Sequence, residues 1–220
     1  MSQRCALIGV ALLVWGSAAQ ADYSFDNPEQ YLADAADWRP WSDVLRRNAL
    51  DSALLADCVA NIDRCPKRYR GVTHLIVRAR DLALEDQVRL VNRYVNKRRY
   101  RNDRTSRPTL MEGELHRNQW RPLLETLSRG GDCEDFATAK YFLLRELGIP
   151  ADAMRVVVLW DTKTRDYHAM LAIDTGDVAW FLETDNTIQR GRQLRKYEFQ
   201  YSLNEEGIWD HSLTLQGRES

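Results

Sequence analysis

Gly130-Gly131-Asp132-Cys133-Glu134-Asp135-Phe136-Ala137 reads as a tight glycine turn feeding a helix whose first turn carries a thiol among acids. Paired glycines let the backbone turn where a side chain would clash. Asp132 has the chemistry of an N-cap, its carboxylate able to accept from the free N–H groups of the first turn. Beyond it, Phe136, Ala139, Tyr141, Phe142, Leu143, Leu144 and Leu147 carry a helix that Gly148 and Pro150 stop. Cys133 therefore stands at the positive end of a helix dipole, which favours the thiolate that a cysteine nucleophile needs. The plain alternative is a buried structural cysteine. The carboxylates of Asp132, Glu134 and Asp135 oppose a thiolate unless a cation sits among them, so the stretch predicts a histidinium partner or a bound metal ion.

Downstream of Pro150 the apolar period changes from helical to alternating. Met154 to Trp160 is a β-branched run, Tyr167 to Asp174 alternates, and Val178 to Glu183 is apolar again. Polar turns at 161–166 and 174–177 make these an antiparallel meander. Tyr197 to Leu203 reads as a fourth strand, and the tail with Trp209 packs back on the sheet. Of His74, His116, His168 and His211, only His168 lies inside these strands. A two-residue loop at Thr175-Gly176 pairs it with Glu183 and makes Asp185 its diagonal neighbour on the same face. Threonine fits the primed turns poorly, and a three-residue loop would reverse the face.

Asp185 is read as the acid that orients the imidazole, with Glu183 its rival. His168 then takes the proton of Cys133, Asp185 fixes the tautomer, and the thiolate attacks an amide carbonyl to give an acyl-enzyme. Backbone N–H groups at the helix start, that of Cys133 included, meet the oxyanion. The spacing does not choose between water and an amine as acceptor.

Upstream of the glycine turn the chain reads as all-helical. Ser42 can cap a helix through Val44, Leu45 and Leu50, and Asp51 a second through Leu54, Leu55, Val59 and Ile62. Asp81 opens the clearest amphipathic helix, with Leu84, Val88, Val91 and Val95 at helical spacing. Asp22 to Pro40 is expected to be an irregular lead-in, with Trp38 and Trp41 as packing anchors. Trp120 and Pro122 precede a short helix through Leu123, Leu124 and Leu127. Arg93, Lys97, Arg98, Arg99, Arg101, Arg104 and Arg107 face only Asp103, a run read as a solvated helix end or as a docking strip for an acidic partner.

The chain opens like a secreted protein: Arg4, an apolar run from Cys5 to Trp15, and an Ala19-Gln20-Ala21 cleavage site before Asp22. Residues 1–21 are thus expected to be a signal peptide and 22–220 the mature domain, its helical lobe at about 40–130 and its catalytic helix and sheet at about 131–205. Loss of the leader removes one charge, so the near balance of 31 basic and 32 acidic residues persists, and bulk charge points to no nucleic-acid partner. No later stretch could span a membrane. Cleavage also leaves Cys58, Cys65 and Cys133. Cys58 and Cys65 are read as a disulfide closing a short loop between helices, unless one continuous helix holds them too far apart. Cys133 is the thiol left over in either case.

Gly130 to Ala137, the helix through Lys140 to Leu147-Gly148-Ile149-Pro150, Tyr167-His168-Ala169 and Glu183-Thr184-Asp185-Asn186 together resemble the bacterial transglutaminase-like cysteine proteinases. The resemblance extends over the mature chain, Val91-Asn92-Arg93 included. It implies an α+β, papain-like or transglutaminase-type fold, a helical N-terminal half packed with an antiparallel sheet, and a triad of Cys133, His168 and Asp185. It also implies calcium, held by Asp132 and Glu134 with Asp135 a further candidate, and hard carboxylate oxygens suit that ion. Helix capping alone is the plain reading of those acids. The family's periplasmic members imply a large surface adhesin as substrate, cut after a pair of alanines to release cells from a biofilm. They imply an inner-membrane cyclic di-GMP receptor as regulator. The competing readings are an amine-directed acyl transferase, a cell-wall amidase, and a catalytically idle calcium-responsive binding module.

Overall fold

The structure is a computed structural model that describes residues 23, 25, 31–102, 109–111, 114–116, 120–191 and 194–211. The expected leader, its cleavage site and the arginines at 104 and 107 lie outside the described residues.

Three helices form the first half, α1 (Arg39–Ala60), α2 (Lys67–Ala79) and α3 (Leu84–Asn96). The two helices expected from Ser42 and Asp51 are one: Pro40 is in the first turn of α1, and no break follows. Asp51 does cap a helix, but another one. Its carboxylate accepts from the backbone N–H of Leu124 at 2.8 Å, at the start of α4 (Leu123–Arg129). α1 stops before Cys65, so Cys58 and Cys65 form the disulfide, with Cα atoms 4.6 Å apart. The lead-in is not wholly irregular. β1 (Tyr31–Asp34) pairs with β9 (Gly207–Asp210), and a 3-10 turn (Ala35–Asp37) leads into α1.

The central helix is α5 (Cys133–Glu146), and it is buried on nearly every side from Glu134 to Leu144. Such a helix must be enclosed by other elements. Here α3, α4 and the sheet surround it. A second pair of strands, β2 (Thr109–Met111) and β3 (Glu114–His116), forms a small hairpin apart from the main sheet.

The main sheet is antiparallel, in the order β1-β9-β8-β4-β5-β6-β7. Its remaining strands are β4 (Met154–Asp161), β5 (Asp166–Asp174), β6 (Ala179–Leu182), β7 (Ile188–Arg190) and β8 (Tyr197–Leu203). Alternation along β4 sends Met154, Val156 and Val158 to the helices, and Val157 and Leu159 to a second core. That second core includes Tyr23, Phe181, Tyr197 and Phe199. Because both faces are covered, β4 reads as a continuous apolar run from Val156 to Trp160. Among the described residues no helix is long and apolar enough to cross a membrane.

Candidate active site

Cys133 is the first residue of α5, and it is the free cysteine among the described residues. Both glycines before it are required by geometry. Gly130 has φ +76°, and a side chain there would run into the carbonyl of Arg99; one on Gly131 would run into the Asp135 carboxylate. The flush turn lets Gly131 bridge Tyr100, with the Arg101 N–H donating to the Gly131 carbonyl at 2.8 Å. Cys133 and His168 line one cleft of about 490 Å³, walled by Tyr100, Trp120, Tyr167 and Tyr201.

The acids beside the thiol do not behave as caps. Asp132 occupies the N-cap position, but its side chain makes no capping bond; it shares a hydrogen bond with the Glu134 carboxyl. The thiol donates to Glu134 Oε2 at 3.2 Å. Glu134 is pushed up to about 8 by burial and then by the Asp132 charge. Burial, followed by the Glu134 charge, also pushes the thiol up, against a hydrogen bond from the Ala169 backbone. The dipole that should favour the thiolate is outweighed by neighbouring negative charge in a desolvated site.

A cation would reverse that balance. Glu134 Oε1 is buried without a hydrogen-bond partner, and the donors here are hard carboxylate oxygens, so Asp132 and Glu134 fit a calcium ion. Asp135 is committed elsewhere. Its carboxylate accepts from the Arg121 backbone N–H at 2.8 Å and pairs with the Arg121 guanidinium. Burial still pushes Asp135 up to about 7, against that pairing. Among the described residues, no three or more ligating side chains converge as a metal cluster.

Across the cleft the acid on the imidazole is Glu183, with Oε2 2.7 Å from His168 Nε2. Asp185, expected in that role, instead accepts from the Thr187 backbone N–H at 2.8 Å. The hairpin register does not by itself explain the exchange. Its last pair is Asp174 with Ala179, so β6 sits two residues further along than a Thr175-Gly176 loop would place it, and a strand that ran on would set Asp185 opposite His168. An even slip preserves the face. β6 ends at Leu182, however, and the chain turns at Asn186, whose φ is +75°. Glu183 thus reaches His168 while Asp185 braces the turn. Glu183 Oε1 accepts from Tyr197 Oη at 2.7 Å and Gln189 Nε2 at 2.8 Å. Burial alone would raise the Glu183 carboxyl, but the bonds from His168 and Tyr197 leave it below its ordinary value. That carboxylate is an acceptor, so Nε2 carries the proton and Nδ1 is the nitrogen left to serve Cys133.

Sequence reasoning named Glu183 only as a rival, and it missed Tyr197, Gln189 and Arg121 as site residues. Tyr197 stacks on the His168 ring, with centroids 5.8 Å apart. Strand parity was the one signal available for Glu183. Nothing local marks the other three.

Comparison with known proteins follows the same outline. The profile of the bacterial transglutaminase-like cysteine proteinases (BTLCP) matches residues 52–211. Among solved structures, calcium-bound Legionella pneumophila LapG is similar at 26% identity and TM-score 0.57, over 66% of this chain and 78% of that one. The EGTA-treated form of the same protein is similar at 25% identity and TM-score 0.57, over 67% and 78%. Comparison with curated proteins gives no match.

Proposed function

The chain belongs to the bacterial transglutaminase-like cysteine proteinases, and from that premise we propose a calcium-dependent periplasmic endopeptidase that cuts the N-terminal region of a large surface adhesin and so releases cells from a biofilm. The observation that carries the catalytic part is the cleft itself, lined both by a free thiol at a helix start and by a histidine whose Nε2 is held by a buried carboxylate.

In this reading His168 receives the thiol proton at Nδ1, and Glu183 stabilises the resulting imidazolium through Nε2. The sulfur attacks the scissile carbonyl. The backbone N–H of Cys133, one of the donors a first helical turn leaves free, meets the oxyanion. The imidazolium returns its proton to the leaving amine, and water then releases the acyl group. Asp185, the acid expected on the imidazole, supports the turn that carries Glu183.

Asp132 and Glu134 would hold calcium, whose charge offsets the repulsion beside the sulfur. The similarity to a calcium-bound LapG structure supports calcium as the ion, and the unpartnered buried oxygen of Glu134 supports its place here. The Cys58–Cys65 disulfide supports an oxidising compartment and hence export, with cleavage after Ala21. Regulation by an inner-membrane cyclic di-GMP receptor follows from the same family reading.

The test is incubation of the mature protein with the N-terminal portion of a large adhesin from the same genome, with calcium, with chelator, and as Cys133→Ala. A discrete cut that needs both calcium and the thiol is the expected result. Labelling of an added amine would move the assignment to acyl transfer. Release of cell-wall peptide would move it to an amidase, and a thiol no more reactive than free cysteine to a binding module.

A further inference from the structure

The turn that presents Glu183 is held from behind by two helices. Lys140, on α5, has no exposure at all. Its Nζ donates to the Glu183 carbonyl at 2.8 Å and toward that of Leu182 at 3.4 Å. Asn96, on α3, donates from Nδ2 to the same Glu183 carbonyl at 2.8 Å. That amide also meets Asn92 Oδ1 and Asn186 Oδ1, each at 3.1 Å. The contact with Asn186 steadies the left-handed residue at which the turn reverses.

An ammonium in a core is costly, and an apolar side chain of similar length would pack there at less cost. Burial pulls Lys140 down to about 7 even against the opposing carboxylates of Glu183 and Asp185. Charged or neutral, the amine keeps an N–H for the carbonyl.

We infer that Lys140, seconded by Asn96, is a positioning residue that fixes the Glu183 backbone and thereby sets its carboxylate against His168. This rests on the reading of His168 as the base for Cys133. The helix that carries the nucleophile then has a second role, because α5 supplies the thiol at its first residue and, two turns on, the anchor for the acid behind the base. A shift of the turn by about 1 Å would lengthen the Glu183–His168 bond, and displacements of that size can cost about a hundredfold in rate.

The test uses the mature protein at fixed pH and calcium, with two readouts. One is the rate of Cys133 alkylation by iodoacetamide. The other is the nitrogen-bound ring proton of His168 in protein carrying ¹⁵N-histidine. Lys140→Met is expected to slow alkylation about tenfold and to shift or broaden the ring proton, while Lys140→Arg, which keeps a donor, recovers most of the loss. Glu183→Gln should do the same. The Lys140→Met/Glu183→Gln double variant should be no slower than Glu183→Gln alone, because Lys140 acts through Glu183.

A folded Lys140→Met variant with wild-type alkylation and an unchanged ring proton overturns the inference. So does a double variant whose losses multiply. If Lys140→Met does not fold, Asn96→Ala decides: a shifted ring proton supports the inference, and an unchanged one overturns it. If wild-type Cys133 alkylates no faster than free cysteine, the nucleophile reading fails, and the ring proton alone judges the role of Lys140.

Discussion

Glu183 beside the base and Glu134 beside the thiol are both buried acids, and they titrate in opposite directions. At the sheet, Glu183 is met by donors from His168, Gln189 and Tyr197, and its carboxyl falls below its ordinary value against the effect of burial. At the helix start, Glu134 is met by Asp132 and a thiol, and its carboxyl is pushed up to about 8. Burial acts on both carboxyls in the same sense; the partners differ. The sheet side is an acid already supplied with donors, and the helix side is an acid pair that lacks a positive charge. One is organised by the fold alone, whereas the other is the side that the proposed calcium ion would complete.

Breaking the shared element, the thiol and its base, gives the largest expected effect. Cys133→Ala or His168→Ala should remove adhesin cleavage by at least about three orders of magnitude with the fold intact by circular dichroism. Residual cleavage near the wild-type rate would mean that another group performs the chemistry.

Next is the sheet side. Glu183→Gln should lower kcat about a hundredfold and leave KM nearly unchanged, with a smaller loss for Asp185→Asn. A silent Glu183→Gln beside a crippled Asp185→Asn would return the orienting role to Asp185.

The helix side comes third. Asp132→Asn combined with Glu134→Gln should cut activity about tenfold at limiting calcium and recover part of it as calcium is raised. Wild-type activity that chelator leaves untouched would remove the cation from the comparison.

The pH dependence of stability separates the two sides further. Glu134 has a raised folded-state value, so its contribution is fully present below the ordinary glutamate range and is lost as pH rises toward about 8. In chelator, thermal melts should therefore show Glu134→Gln gaining on wild type between the ordinary glutamate value of 4.5 and about pH 8. Glu183 is depressed, so its contribution is present above the ordinary range and is lost on acidification. Glu183→Gln should lose its stability deficit as pH falls below about 4. Equal slopes for the two variants would erase the distinction.

The smallest effect lies away from the cleft, at the support of α4. Asp51→Ala should cost about 1 kcal/mol in denaturant unfolding, because it deprives the Leu124 N–H of its acceptor. A change confined to α1 would show that the cap is not shared between helices.

Much of this was legible along the chain. The helix after Gly130-Gly131, the meander after Pro150, β8 at Tyr197–Leu203 and the pairing of Cys58 with Cys65 all follow from local rules, since period, turn residues and loop closure act over a few residues. Other features were misread because their cause is distant in sequence. Asp51 looks like a cap for the residues after it, and it serves a helix that begins at Leu123. Tyr31–Asp34 looks irregular until Gly207–Asp210 lies beside it. Asp132 has the composition of a cap, yet it faces Glu134.

By itself, the sequence determined the thiol at the helix start, the histidine in the strand, and the face of the sheet on which an acid would meet it. Those are matters of adjacency and parity, which survive a two-residue slip in register. Only the tertiary structure decided which acid reaches His168, that Glu134 keeps a buried oxygen without a hydrogen-bond partner, and that Lys140 and Asn96 hold the turn between them. Those choices depend on where β6 ends and on groups brought together from separate helices, and neither is set by local spacing.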